Sequence, residues 1–335
     1  MNLPKSTLQS FGEVIYSFSG LDLLGECSRR DLPIERLKTV VAWYISQFRP
    51  VIFGMSPFNP VLGETHHVSN GDINVLIEQV SHHPPVAALH STHEKENIDV
   101  TWVHYFSSKF RGAYVDVELK GKKVLKLLNR QETYNMDQPR LTVRFLPSPG
   151  IHLAGKVKIK CSETNLEAEL HVNSDSYIER LGSNNNRSIK GKIIESSSGN
   201  QLYDIFGHWD RTVMAKNVKT GDVEVIYDAK ENITGLKPPI VKNLQEVMGS
   251  ESALVWSEVS EGILKKDWKR AGEAKRLVEE KQRESLKQRE ASGESWVPKH
   301  FSVVKDGKDW DCSPLQPTVP RDPLVIIEAQ GEIVN

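Results

Sequence analysis

The feature that most constrains the fold of this chain is a long alternation of apolar and polar residues, between about residues 72 and 228. A period of two is typical of β-strands that bury one face. Turn signals such as Asn70-Gly71 and Gly221-Asp222 interrupt the alternation about every ten residues. Short strands joined by tight turns predict an antiparallel meander of about ten strands.

A sheet of about ten strands is expected to close on itself. An open, twisted sheet of this size is uncommon, so we expect a large antiparallel β-barrel. A barrel this wide leaves an interior cavity rather than a filled core. The predicted fold class is therefore mainly β with flanking helices.

Helical patterns lie on both sides of the strand region. Leu8, Phe11, Ile15 and Phe18 recur at helical spacing, and a second helix is predicted between Asp31 and Pro50. Helices return after Pro238-Pro239. The predicted organisation is one large domain over residues 1–301, divided into 1–25, 31–49, 50–235 and 239–301, followed by an extended proline-rich tail over 302–335.

Charge and cysteine content narrow the class of protein. Lys and Arg number 43 against 44 Asp and Glu, so no net charge draws the chain to nucleic acid. The three cysteines lie far apart, which favours a reducing compartment over a disulfide framework. The N-terminus has no signal-peptide pattern, and the apolar stretch 40–48 is shorter than the about 20 residues that span a bilayer. We expect a cytoplasmic protein.

The stretch Glu78-Gln79-Val80-Ser81-His82-His83-Pro84-Pro85 carries the strongest chemical signal. A β-branched run precedes it, and the two prolines stop regular pairing. His82 and His83 are therefore predicted at a strand end, on the rim of the sheet. Imidazoles there suit an anionic group, a metal or acid-base chemistry. The alternative is that they are ordinary structural donors.

These eight residues resemble the signature of the oxysterol-binding protein family, in a short, plant-like form with the lipid-binding domain alone. The resemblance implies a barrel that encloses a lipid tunnel, with an N-terminal helical lid and a C-terminal helical subdomain. It implies a non-enzymatic lipid carrier without cofactor or metal, whose ligand is a sterol, phosphatidylinositol 4-phosphate or phosphatidylserine. A monomer that contacts organelle membranes transiently is expected.

A second constellation lies in the charged region 262–290. Lys275, Glu279 and Arg283 fall at i, i+4 and i+8, in one column of a predicted helix. By spacing alone, a solvated helix with intrahelical ion pairs is the simpler interpretation. The resemblance implies instead that this column holds a phosphoinositide headgroup beside His82 and His83.

The third constellation is Ser56-Pro57-Phe58-Asn59-Pro60-Val61-Leu62-Gly63-Glu64, by itself a proline-rich turn before a strand. It resembles the family segment that lines the tunnel mouth, which assigns Pro57, Phe58 and Leu62 to the mouth and Asn59 to the headgroup. Many relatives carry a lysine before the first proline, where this chain has Ser56. The resemblance therefore implies a lower phosphoinositide affinity for this chain than for relatives that carry the lysine.

Two alternatives concern the first helix and the function. The apolar stripe Leu8, Phe11, Ile15 and Phe18 is either a permanently packed flank or, as the resemblance implies, a lid over the tunnel. A metalloenzyme is the rival function, because six histidines lie within a short stretch; they are His66, His67, His82, His83, His90 and His93. Neighbours in a strand point to opposite faces, which opposes a shared metal site. A second rival is a lipid sensor or membrane-contact scaffold without net transport.

Overall fold

A computed structural model describes residues 3–18, 21–51, 53–145, 149–173, 187–234, 236, 239–241, 243–307, 309–322 and 324–325. Its helices are α1 (Thr7–Tyr16), α2 (Leu23–Arg29), α3 (Pro33–Ser46), α4 (Ala229–Ile233), α5 (Ser252–Val255), α6 (Ser257–Leu264) and α7 (Trp268–Ser292). Within these ranges, no helix is both long and apolar enough to cross a membrane.

The strands between α3 and α4 are β1 (Thr65–Asn70), β2 (Ile73–His82), β3 (Pro85–His93), β4 (Ile98–Phe110), β5 (Tyr114–Lys120), β6 (Lys123–Leu127), β7 (Glu132–Met136), β8 (Arg140–Arg144), β9 (Gly150–Cys161), β10 (Leu166–Val172), β11 (Ser188–Glu195), β12 (Gln201–His208), β13 (Thr212–Asn217) and β14 (Val223–Asp228). Later in the chain come β15 (Ile240–Val241), β16 (Phe301–Asp306), β17 (Asp309–Pro314) and β18 (Leu324–Val325).

One mostly antiparallel sheet of sixteen described strands dominates the molecule. Its main path runs β14-β13-β12-β11-β10-β9-β7-β6-β4-β3-β2-β1-β18-β15, with β5 and β8 on a side branch. The predicted mainly β, antiparallel class with flanking helices is confirmed. The predicted strand number was too low, because several strands, such as β6, β7 and β8, have only five residues and alternate too briefly to be counted separately.

Helices α1 and α3 share one hydrophobic core with the inward-facing residues of the sheet. The core joins Leu8 of α1 and Leu37, Val41 and Ile45 of α3 to residues of β1–β4, β6, β7 and β9–β14. A buried ion pair also ties α3 to β7, in which Arg36 Nε donates to Glu132 Oε2 at 2.8 Å. One face of the sheet is therefore buried against helices. The period-two pattern of the sequence requires such a buried face.

The start of α3 agrees with the sequence, since Pro33 occupies the first helical turn. Helix α2 was missed, because its seven residues are too few to establish a helical period. The sheet begins at Thr65 rather than at residue 50.

The C-terminal tail differs from the prediction of an extended strap over 302–335. Strands β16 and β17 form a hairpin, and Phe301 and Cys312 pack against Val80, Val86 and Val103 of the sheet. Beyond the hairpin the chain bends over residues 315–318 and continues without regular structure to residue 322. There, Asp322 Oδ2 lies 2.7 Å from His67 Nδ1, so the strap is fixed across β1. Residues 326–335 lie outside the described ranges.

Helices α6 and α7 form the C-terminal helical part. They approach closely at Gly262, where an added Cβ would lie 2.8 Å from the backbone nitrogen of Ala271. Ala271 packs with Phe58, Trp256, Val259 and Ile263, and Ala274 and Val278 border the same cluster. One side of α7 is thereby held in place, while its charged side faces solvent.

Candidate functional site

The segment 57–64, called the rim loop below, is fixed at both of its ends. Phe58 is fully buried and stacks on Trp256 with ring centroids 4.7 Å apart. Its backbone exchanges hydrogen bonds with the N-terminal segment, from Phe58 N to Lys5 O at 2.9 Å and from Thr7 N to Phe58 O at 3.0 Å. Phe58 therefore anchors the loop, and its assignment to a tunnel mouth stays a prediction.

The carboxylate of Glu64 fixes the other end of the rim loop. It is buried and accepts hydrogen bonds from the Ser6 hydroxyl, from Val61 N at 2.9 Å, from the Ser252 hydroxyl at 2.6 Å and from Trp256 Nε1 at 2.8 Å. Burial raises the pKa of this carboxyl group, although all four donors oppose that shift. One side chain thus joins the rim loop to the N-terminus and to α5.

His82 and His83 lie where β2 turns into β3, as predicted. Their ring centroids are 4.5 Å apart, and His82 is partly buried whereas His83 is exposed. His82 Nδ1 lies 3.0 Å from the carbonyl oxygen of Pro60, so the histidine pair borders the rim loop. Burial, and then the neighbouring His83, lower the pKa of His82 below its usual range.

The predicted column on α7 exists. Lys275 Nζ lies 3.1 Å from Glu279 Oε1, and Arg283 Nη2 lies 3.5 Å from Glu279 Oε2. Arg283 Nε also donates to the carbonyl oxygen of Glu279 at 3.2 Å. Glu279 therefore orients both cations, and the guanidinium of Arg283 stays largely exposed.

The rim loop connects the column to the histidines. Leu62 N donates to Gln282 Oε1 at 3.2 Å, and Gln282 precedes Arg283 in α7. Because Pro60 accepts from His82 two residues earlier in the same loop, the histidines and the column lie on either side of it. Asn59 and Ser56 are exposed at this edge. Sequence reasoning missed Gln282, which no local pattern distinguishes from other polar residues of α7.

The glutamate of the histidine signature has a role that the sequence did not reveal. Glu78 is fully buried in β2, and its two carboxylate oxygens accept from Lys299 N and His300 N, each at 2.9 Å. The chain that follows α7 is thereby fixed to the strand that carries the histidines. The two backbone amides that pair with this carboxylate lie more than 220 residues away in the chain, so only the tertiary structure reveals the contact.

Helix α1, for which a lid was one alternative, is seated in the core. Leu8 and Ile15 are buried, and Phe11 packs on His104 of β4 with centroids 4.3 Å apart. Ser6 caps the helix, and its backbone N–H donates to Gln9 Oε1 at 2.7 Å. A packed flank and a closed lid would both make these contacts, so the lid stays a prediction; Phe18 packs on the margin of the same core.

The remaining histidines are held separately. His66 Nδ1 lies 2.8 Å from Glu251, His90 Nε2 lies 2.7 Å from Asp99, and His93 Nε2 lies 2.9 Å from Asp22. In the described ranges, no group of three or more His, Cys, Asp or Glu side chains is arranged to hold a metal ion. Each pair instead ties one element to another.

Comparison with solved structures identifies the fold. The chain superimposes on the Osh1 ORD domain in complex with ergosterol with a TM-score of 0.74 and 22% identity, over 91% of this chain and 78% of that one. It superimposes on the Osh3 ORD in complex with PI(4)P from Saccharomyces cerevisiae with a TM-score of 0.71 and 21% identity, over 92% and 82% of the two chains. The fold is that of ORD domains.

Sequence comparison identifies the family. The profile described as oxysterol-binding protein matches residues 1–262, and the chain belongs to that family. It is 79% identical over 326 residues to oxysterol-binding protein-related protein 4A of Arabidopsis thaliana, an alignment that covers 97% of this chain and 84% of the relative. It is 33% identical over 331 residues to oxysterol-binding protein-related protein 5 of Mus musculus, covering 94% of this chain and 37% of the relative.

Proposed function

We propose that this protein binds a membrane lipid and transfers it between membranes, and that phosphatidylinositol 4-phosphate is one of its ligands. The observation that carries the proposal is that one loop contacts both elements: the rim loop meets His82 through Pro60 and meets α7, the helix of the Lys275-Glu279-Arg283 column, through Leu62 and Gln282. Two imidazoles, a guanidinium and an ammonium together suit a phosphorylated headgroup. Related folds hold ergosterol and PI(4)P, which supports both ligand classes.

The histidines couple headgroup binding to protonation. Because the Pro60 carbonyl can only accept, His82 Nδ1 carries a proton and donates to it, which leaves Nε2 as an acceptor in the neutral ring. The lowered pKa of His82 keeps the ring neutral in the unliganded protein. A phosphate beside it favours the imidazolium, whose Nε2–H then donates to the phosphate. Headgroup binding is therefore accompanied by proton uptake.

A cavity of about 210 Å³ at the end of α3 is the entrance that we propose for the apolar part of the lipid. Arg49, Phe53, Leu153 and Trp209 are among the residues that line it. The buried atoms His152 Nε2, Asn173 Oδ1 and Trp209 Nε1 beside it have no hydrogen-bond partner in the described part of the chain. Since typical ligand pockets measure about 300–1,000 Å³, a lipid that enters here displaces side chains that line the cavity.

The decisive test of the proposal is lipid occupancy followed by transfer. The protein purified from eukaryotic cells is weighed by native mass spectrometry and then mixed with vesicles that contain labelled phosphatidylinositol 4-phosphate, sterol or phosphatidylserine. We expect one lipid per chain, displaced by the phosphoinositide, and label movement to acceptor vesicles. Extraction without movement identifies a lipid sensor instead, and a protein that extracts no lipid contradicts the proposal.

Ser56 marks a place where one added cation is expected to strengthen binding. Ser56→Lys sets an ammonium at the exposed edge of the rim loop, beside Asn59. A charged hydrogen bond to phosphate contributes about 1.5 kcal/mol, which corresponds to roughly tenfold in affinity. The measurement is extraction of labelled phosphatidylinositol 4-phosphate at increasing vesicle concentration. Ser162→Lys adds the same charge at an exposed turn between β9 and β10 and is the matched control; equal gains in both variants would show a nonspecific charge effect.

A further inference from the structure

The sheet divides at one place, and the division leaves a groove in its wall. Strand β4 pairs with β6 through Ile98–Trp102 and with β5 through Tyr105–Phe110. Strand β9 divides in the same way, because Ile159–Cys161 pair with β7 and Gly150–Ala154 pair with β8. Between the two branches lies a cavity of about 900 Å³, called the side groove below.

Specific backbone geometry keeps the side groove open. Gly121 turns the chain from β5 to β6 with φ +102°, and an added Cβ would lie 1.9 Å from the carbonyl oxygen of Val103. Gln138 Nε2 lies 3.3 Å from the carbonyl oxygens of both Lys120 and Gly121, so it bridges the two branches. On the inner side, the Tyr44 hydroxyl donates to the Asp137 carbonyl oxygen at 2.8 Å.

The lining of the side groove is strongly basic. Six cationic side chains face two carboxylates, Glu118 and Asp137; the cations are Lys122, Lys123, Arg140, Lys156, Lys158 and Lys160. Two of these cations are neutralised, Lys122 by Asp311 at 2.5 Å and Lys158 by Glu167 at 2.6 Å.

The other lining cations are not neutralised. Arg140, Lys156 and Lys160 form no ion pair with any carboxylate that the structure describes. His171, another lining residue, pairs in register with Lys156. Unpaired charges concentrated in a concavity focus the field on its interior and attract counter-ions there.

One lysine that lines the side groove, Lys123, carries its ammonium into the core. Lys123 is 4% exposed; its Nζ donates to Gln47 Oε1 and lies 4.3 Å from the centroid of the Trp102 ring. Burial lowers the pKa of this lysine to about 7. This ammonium lies on the core side of the groove wall, so the unpaired charges on the groove side are those of Arg140, Lys156 and Lys160.

We propose that the side groove is a second anion site, separate from the rim histidines, and that its ligand is a compact polyphosphorylated molecule. Lys156 and Lys160 are four residues apart in one strand, or about 13 Å, a span that suits a ring with several phosphates rather than one small ion. Arg140 adds a planar fork for one of them. A flat membrane surface would meet protruding residues, whereas these side chains line a concavity. A phosphoinositide headgroup and a soluble inositol polyphosphate share this chemistry.

The test uses the whole chain and inositol hexakisphosphate, titrated by calorimetry at physiological salt. We expect a 1:1 complex that Lys156→Ala/Lys160→Ala weakens at least tenfold. His82→Ala/His83→Ala, which alters only the rim, should bind the probe like the unmodified protein. Lys126→Ala/Lys216→Ala removes the same charge from exposed positions of the sheet outside the groove and should also have no effect.

Three results would overturn the side-groove site: no binding by the unmodified protein, loss of binding only in the histidine variant, or equal losses in the groove and surface variants. Flotation of the His82→Ala/His83→Ala protein with phosphatidylinositol 4,5-bisphosphate vesicles separates the two sources of ligand. Flotation that Lys156→Ala/Lys160→Ala abolishes identifies a lipid headgroup, and binding of the soluble probe without flotation identifies a free phosphate. The rim-dependent lipid transfer proposed above does not depend on either result.

Discussion

The double variant His82→Ala/His83→Ala should lose extraction of phosphatidylinositol 4-phosphate while the protein stays folded. Hydrogen bonds to a charged group contribute about 1.5–3 kcal/mol each, so the loss of two imidazoles is expected to weaken binding by roughly two to four orders of magnitude. Both side chains lie at a strand-end turn outside the main core, and one hydrogen bond, from His82 to Pro60, is lost from the protein itself.

The readouts for this variant are extraction from labelled vesicles and the thermal unfolding temperature. His208→Ala removes a partly buried histidine from the end of β12 and serves as the matched control. It should extract the lipid like the unmodified protein. Unchanged extraction by the double variant would contradict the assignment of the rim histidines to the headgroup, and extraction lost together with the fold would place their role in stability.

The largest expected effect on stability comes from Glu64→Ala. The substitution leaves four donors without an acceptor, namely the hydroxyls of Ser6 and Ser252, the Val61 amide and the Trp256 indole. A buried donor that loses its partner costs about 1–3 kcal/mol, and removal of a buried charged partner costs about 3–5 kcal/mol in total. For a chain of this length the unfolding temperature should fall by about 4–7 °C.

Thermal unfolding followed by circular dichroism measures this effect. Glu118→Ala removes a carboxylate that is 60% exposed and should change the unfolding temperature by less than about 1 °C. Because Glu64 also fixes Val61, phosphoinositide extraction should weaken in Glu64→Ala at temperatures where the protein is still folded. A stable variant with full extraction would show that the rim loop does not depend on this carboxylate.

Local patterns in the sequence were sufficient for two parts of this molecule. The strands could be predicted because alternation reports directly on burial, as in β10, whose Leu166, Ala168 and Leu170 all face the core. The Lys275-Glu279-Arg283 column could be predicted because residues four apart in a helix are neighbours whatever surrounds them. Neither inference needed knowledge of distant contacts.

The parts that could not be predicted depend on which distant segments meet. The apolar stripe of α1 shows that something covers it, but its burial against Trp102 and His104 follows from the curvature of the whole sheet. Gln282 acquires its role only through Leu62, which is 220 residues away. The side groove arises because β4 and β9 each change partners part-way along, and no alternation signals such a change.

The contact of the rim loop with α7 has a consequence for how the protein is made. Leu62 leaves the ribosome 220 residues before Gln282, and Glu64 precedes Ser252 by 188 residues. At about 5–20 residues per second, the loop waits about 11–44 s for its partner on α7. During the first part of that interval, the Glu64 carboxylate lacks two of its hydrogen-bond donors, Ser252 and Trp256. A nascent chain can therefore complete the contacts of the rim loop only after α7 has been synthesised.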